Sequence, residues 1–184
     1  MFSSQKQLKK RTPANGINRE EYISQLAKEF IETNNIESKE QVLANLANFS
    51  YDPINYAYLK KSSVLNIFLE TLKNPDKSLV LHATAGISNL CNCLEFQPFI
   101  LQPDSQKDLK ALLNTPDNSC DIKVNVVTIL YLIISQNNHT KDLICTPDLV
   151  RAIRKLRSSS CINLRNIATL FITDFATRVE TRWS

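Results

Sequence analysis

Apolar residues recur along this chain at the i, i+3, i+4 spacing of amphipathic helices, and the pattern itself recurs about every 42 residues. Leu46, Ile87, Ile129 and Ile172 align as one apolar position. Phe49, Leu90, Leu132 and Phe175 follow three residues later, on the same helical face. Between them stand polar or amphipathic residues, Asn48, Asn89, Tyr131 and Asp174, at intervals of 41, 42 and 43. The alignment predicts four copies of one helix. Two further lines, Leu59, Ile100, Leu143 and Leu72, Leu113, Leu156, repeat at 41 and 43 and predict a short helix and a middle helix in each unit.

Loops repeat as well. Asn74-Pro75-Asp76-Lys77-Ser78 returns as Thr115-Pro116-Asp117-Asn118-Ser119 at an offset of 41. Proline ends the preceding helix, while Asp and Ser accept from the free amides that open the next one. Pro53, Pro75, Pro98, Pro103, Pro116 and Pro147 all fall at expected junctions or first turns. Three helices in a unit of this length are the armadillo plan, so the expected fold is all-α: a right-handed superhelical solenoid of about four armadillo-type repeats. A strand over Val124 to Ile134 is the competing reading, but that stretch is in register with three helical copies.

The ends read as caps. Asn18 with Glu21 three residues later forms a helix-opening box, and Tyr22, Ile23, Leu26, Ala27 and Phe30 make one apolar stripe, the expected N-terminal capping helix. A last amphipathic helix is expected from about Cys161 to Ala176. The domain boundaries that follow are a basic tail over 1–17, the repeat domain over 18–176 and a short tail over 177–184, where Trp183 reads as a packing residue.

Composition narrows the chemistry. Only Gly16 and Gly86 occur, which disfavours phosphate loops and dinucleotide folds, since both need glycine backbone. The formal charge of +4 equals the contribution of Lys6, Lys9, Lys10 and Arg11, so a basic arm precedes a neutral body. Five scattered cysteines, Cys91, Cys93, Cys120, Cys145 and Cys161, without a secretory signal at the N-terminus, imply a reducing intracellular compartment and small buried thiols. The two histidines, His82 and His139, lie outside zinc-ligand spacing and on different repeats, so no metal, cofactor or catalytic constellation is expected. The chain reads as a binding scaffold and not an enzyme, with no membrane or small-molecule partner.

Three groups are candidates for partner contact. The first is the polar ladder of the third helices: Asn45 and Asn48, then Asn89, Tyr131 and Asp174. An asparagine amide there can pair with a partner's backbone or bond to a neighbouring helix end. The second is Tyr51, Asp52 and Tyr56 around the Pro53 turn, with Tyr58 beside them, as interface rings or as core. The third is the basic cluster Arg151, Arg154, Lys155 and Arg157, extended by Arg165, which reads as a solvated surface or as contacts to an acidic partner or RNA phosphates.

Lys39-Glu40-Gln41-Val42-Leu43-Ala44-Asn45-Leu46-Ala47-Asn48-Phe49, continuing through Tyr51-Asp52-Pro53, Asn55-Tyr56 and Tyr58-Leu59, resembles the signature segment of the armadillo repeat-containing protein 7 family. Asn89-Leu90-Cys91, Leu164-Arg165-Asn166 and Asp174-Phe175 are similar too. The resemblance implies a nuclear scaffold that pairs with RNA-binding motif protein 48, an RNA-recognition-motif protein, within the spliceosomal ribonucleoprotein that removes the minor class of introns. A direct RNA-binding role, through the basic tail and the Arg151 to Arg157 helix, is the alternative. A nuclear-import receptor is disfavoured, because the positions four before the ladder residues are Ala44, Ala85, Val127 and Leu170, without tryptophan.

Overall fold

A computed structural model describes residues 18–176, and these are helical throughout apart from their connections. The expectations for the basic arm, for residues 177–184 and for Trp183 lie outside the described residues. Eleven α-helices are found among the described residues: α1 (Arg19–Glu32), α2 (Ile36–Phe49), α3 (Tyr56–Lys61), α4 (Val64–Thr71), α5 (Lys77–Leu90), α6 (Gln97–Ile100), α7 (Pro103–Asn114), α8 (Cys120–Gln136), α9 (Lys141–Ile144), α10 (Pro147–Leu156) and α11 (Ile162–Phe171). Short 3-10 turns at Pro53–Asn55 and Asn138–Thr140 precede α3 and α9, and a π-helical turn, Ile172–Ala176, continues α11. The four predicted copies are α2, α5, α8 and α11. Val124 to Ile134 lies inside α8 and is not a strand. Among the described residues the first repeat has only two helices, α1 and α2; the later repeats have three.

The helices form two compact units, one running through Leu90 and the other beginning at Cys91. In the first, α2 packs on α5, α4 on α5, and α1 on both α2 and α3. Asn18 caps α1 by accepting from the Glu21 amide at 2.9 Å, as its spacing predicts. Ile23, Leu26 and Ala27 are the buried part of the stripe, while Tyr22 is 41% exposed. The α1 start is tied down by polar contacts. Arg19 donates to Asn55 Oδ1 at 3.1 Å, and the nearly fully buried Asn55 donates its own amide to the Phe49 carbonyl at 2.8 Å. Ser63, at φ 53°, holds the tight left-handed turn from α3 into α4. Gly86 lets α5 come close to α4, since a Cβ there would collide with the Phe68 ring.

In the second unit α8 packs on α7 and α11, and α10 packs on α7 and α11. Pro103 and Pro147 open α7 and α10 at the first helical position, where a missing amide hydrogen costs nothing. The two echoing loops cap differently. Asp76 accepts from Ser78 and Leu79 amides at the start of α5, whereas Ser119 accepts from Ile122 at the start of α8. The cap has moved from the Asp to the Ser of the motif, so α8 begins later in its repeat than α5 does.

Three expectations need correction. Leu143 is 53% exposed and Ile144 is fully buried, so the core position of the last short helix lies one residue beyond the 43-residue alignment. The line Leu46, Ile87, Ile129 and Ile172 is buried throughout, but of Phe49, Leu90, Leu132 and Phe175 only Leu90 is fully so. The cysteines are also not uniformly buried: Cys91 is, Cys93, Cys145 and Cys161 are half-buried, and Cys120 is exposed.

Candidate functional site

The ladder on the third helices divides according to where its side-chain amides and hydroxyls go. In the first unit Asn89 on α5 donates its Nδ2 to the Ala47 carbonyl of α2 at 3.1 Å, bridging two stacked third helices. Asn89 in turn accepts at its own carbonyl from the Tyr56 hydroxyl at 3.2 Å, which leaves Tyr56 half-buried and anchored. Further along the same two helices, His82 Nε2 lies 3.7 Å from Glu40 Oε1. Asn48 is different. Its side chain is exposed and makes no hydrogen bond among the described residues, and Asn45, one turn earlier, is half-buried without one.

Beyond Asn48 the chain turns. Tyr51 donates its backbone amide to the Asn48 carbonyl at 3.2 Å, and Asp52 caps the Pro53 turn by accepting from the Ile54 amide. Tyr51 is 58% exposed there. Next to this turn, Tyr22 meets Phe49 edge-on with ring centroids 5.8 Å apart, and the Arg19 guanidinium lies 5.5 Å from the Phe49 ring centre. The result is a surface in which aromatic rings are held by α1, α2 and the Pro53 turn, with Asn48 at its edge.

In the second unit the two remaining ladder residues bond to each other. Tyr131 on α8 donates its hydroxyl to Asp174 Oδ2 at 2.8 Å, and its ring packs 5.1 Å from that of Phe175. The Asp174 carboxylate accepts this bond best from the neutral phenol, so the Tyr131 pKa is raised, with desolvation adding to it. A second polar chain was not evident in the sequence. Gln97 donates to the Cys91 carbonyl at 3.0 Å and to Gln136 Oε1 at 2.9 Å, and Gln136 donates to Asn92 Oδ1 at 3.0 Å. Only the interval from Asn92 to Gln136, 44 residues, could have signalled it.

The basic cluster is partly engaged within the unit. Arg151 pairs with Asp148 at 3.1 Å, Arg154 donates to the Ala176 carbonyl at 3.2 Å, and Arg165 donates to the Ser159 carbonyl at 3.0 Å. Lys155 and Arg157 are exposed. The sequence joins these five by proximity, but the structure uses Arg154 and Arg165 to tie α10 and α11 to the chain around them. Among the described residues no three His, Cys, Asp or Glu side chains converge as a metal site, and no helix is long and apolar enough to cross a membrane.

No family model matches the chain. Armadillo repeat-containing protein 7 of Mus musculus is 35% identical over 154 residues, covering 84% of this chain and 77% of the mouse protein. Among solved structures, a computationally designed armadillo repeat protein for modular peptide recognition superposes with a TM-score of 0.73 at 20% identity, covering 83% of this chain and 64% of its own. A second designed armadillo repeat protein gives 0.68 at 21% identity, covering 80% and 61%. The chain thus spans less than two thirds of the length of either designed protein. The all-α armadillo-type solenoid is the fold class these similarities show.

Proposed function

The chain belongs to the armadillo repeat-containing protein 7 family, and from that premise we propose that it is a non-enzymatic scaffold whose first unit holds a protein partner at the Asn48–Tyr51 edge. Within the family's setting we propose RNA-binding motif protein 48 as that partner, in the nucleus and in the minor spliceosome. One observation carries the choice of surface. Asn48 is the ladder residue left exposed with its amide unbonded, and it adjoins the exposed Tyr51, whereas Asn89, Tyr131 and Asp174 are bonded between helices. An exposed amide offers both a donor and an acceptor to a partner's backbone, and a tyrosine adds contact area at small entropic cost. The designed armadillo protein for modular peptide recognition supports a protein or peptide partner for this fold.

The test is co-expression of the full chain with RNA-binding motif protein 48 of the same organism, followed by size-exclusion chromatography across a salt titration with and without RNA. A one-to-one complex that persists at high salt without RNA, and is weakened at least tenfold by combined Asn48→Ala and Tyr51→Ala, is the expected result. Salt-sensitive RNA binding by the chain alone, with no protein complex, would replace this reading with the direct RNA binder, because phosphate contacts weaken steeply with salt.

A further inference from the structure

We infer that Cys120 and Cys161 are a reversible dithiol that closes to a disulfide by exchange with small disulfides of the glutathione class, joining the third helices of the last two repeats at their N-terminal ends. Three observations place the two sulfurs together. Cys120 is the first residue of α8 and Cys161 the N-cap of α11, and these helices pack on one another. Their separation, 161 − 120 = 41 residues, belongs to the same series as the cross-helix contacts Asn89 to Ala47 at 42 and Tyr131 to Asp174 at 43. Residues about one repeat apart on stacked third helices therefore face each other, and the Cys120 and Cys161 thiols are close enough to interact directly.

That contact, ahead of desolvation and the Asp121 charge, raises the Cys120 pKa, with Lys123 opposing. A thiol held protonated attacks slowly, so closure is a matter of long exposure to an oxidising pool and not of rapid sensing. Juxtaposition, more than access, distinguishes this pair: Cys120 is exposed and Cys161 half-buried, as Cys93 and Cys145 are, while Cys91 is buried. Cys145 is pushed up to about 11, chiefly by desolvation.

The chemistry balances without any other reactant. The Cys120 thiolate attacks one sulfur of the small disulfide, the S–S bond breaks, and one thiolate leaves and takes up the proton lost by Cys120. The Cys161 sulfur then attacks Cys120 Sγ in the mixed disulfide, releasing the second small thiol with the proton from Cys161. Two protein thiols are oxidised by two electrons, and one disulfide is reduced to two thiols. Tyr131 and Asp174 already join α8 to the turn after α11 near the opposite ends of these helices. The closed pair would fix both ends of the α8–α11 stack.

The experiment uses the full reduced chain incubated with oxidised glutathione, quenched by alkylation and read by intact mass and peptide mapping. The expected product lacks two hydrogens, carries a peptide from Cys120 linked to one from Cys161, and reverts with dithiothreitol. Cys161→Ser, checked for native helicity by circular dichroism, should instead retain a glutathione adduct on Cys120. Hydrogen exchange should slow in α11 of the oxidised chain. A wild-type protein that keeps the adduct on Cys120 unresolved, or that pairs Cys161 with another cysteine, overturns the inference without recourse to any variant. This inference stands apart from the scaffold reading, since no partner enters the measurement.

Discussion

Tyr131 donates its hydroxyl to Asp174 Oδ2 at 2.8 Å across 43 residues of chain, so two side chains in equivalent places of successive repeats bond to each other and not outward. In the first unit the Asn89 side chain bonds instead to a backbone carbonyl, that of Ala47, across 42 residues. Polar positions of the third helices are in these cases part of what stacks one repeat on the next. Asn48 departs from that pattern, and the departure separates binding from stability in the variants below.

Asn89→Ala should lower unfolding free energy by about 1 kcal/mol, because it removes the bond to the Ala47 carbonyl and leaves that acceptor without its partner. Asn48→Ala should stay within about 0.5 kcal/mol of wild type, as an exposed site with no bonded side chain. Urea denaturation of both variants checks the contrast. Equal effects would mean that the two asparagines share one role.

Gly86→Ala should destabilise the first unit. The added methyl group meets the Phe68 ring on a packed helix, an overpacking that costs about 1–3 kcal/mol, against about 1 kcal/mol of improved helix propensity. Phe68→Leu in the same chain should recover part of the loss. Thermal melting of the single and double variants reads this directly, and a more stable Gly86→Ala protein would contradict the close approach of α4 and α5.

Leu90→Ala should cost about 2–5 kcal/mol, since Leu90 is fully buried at the end of α5 and its truncation leaves a cavity. Leu143→Ala, at the exposed position beside buried Ile144, should cost about 0.5 kcal/mol or less. The pair tests the corrected register of the short helices, and a large effect at Leu143 would restore the uncorrected one.

Desolvation pushes the Cys91 thiol from its ordinary 9.0 up to about 12. In the unfolded chain this thiol ionises near the ordinary value, while in the folded chain it stays protonated. Its contribution to stability is therefore complete below pH 9.0 and is lost as pH rises toward about 12. Unfolding midpoints measured between pH 8 and pH 11, ~3 units that span the onset of this loss, should decline more steeply for wild type than for Cys91→Ala. Parallel curves would show that Cys91 is not so protected.

Asp174→Asn should let Tyr131 ionise at lower pH than it does in the wild type, because the carboxylate that raises its pKa is gone. NMR titration with tyrosine ring labelling resolves this one residue. An unchanged titration would mean that the hydroxyl and carboxylate do not meet in solution.

The repeat itself was legible in the sequence. Leu46, Ile87, Ile129 and Ile172 are all buried, each proline among the described residues lies at a junction or a first turn, and Asn18 caps α1, because burial and capping follow from spacing along one helix. Where spacing alone decided, it slipped by a residue at Leu143, since a four-residue helix has too few turns to fix its own face.

The sequence by itself determined an all-α chain of about four repeats, its family, and the set of polar residues that recur on the third helices. Only the tertiary structure decided which of them are engaged: Asn89 is bonded to Ala47 and Tyr131 to Asp174, and Asn48 is exposed. Periodicity reports which face of a helix is apolar. A hydrogen bond between helices depends on the distance and direction between two side chains some 42 residues apart, and those are set only once the helices have stacked.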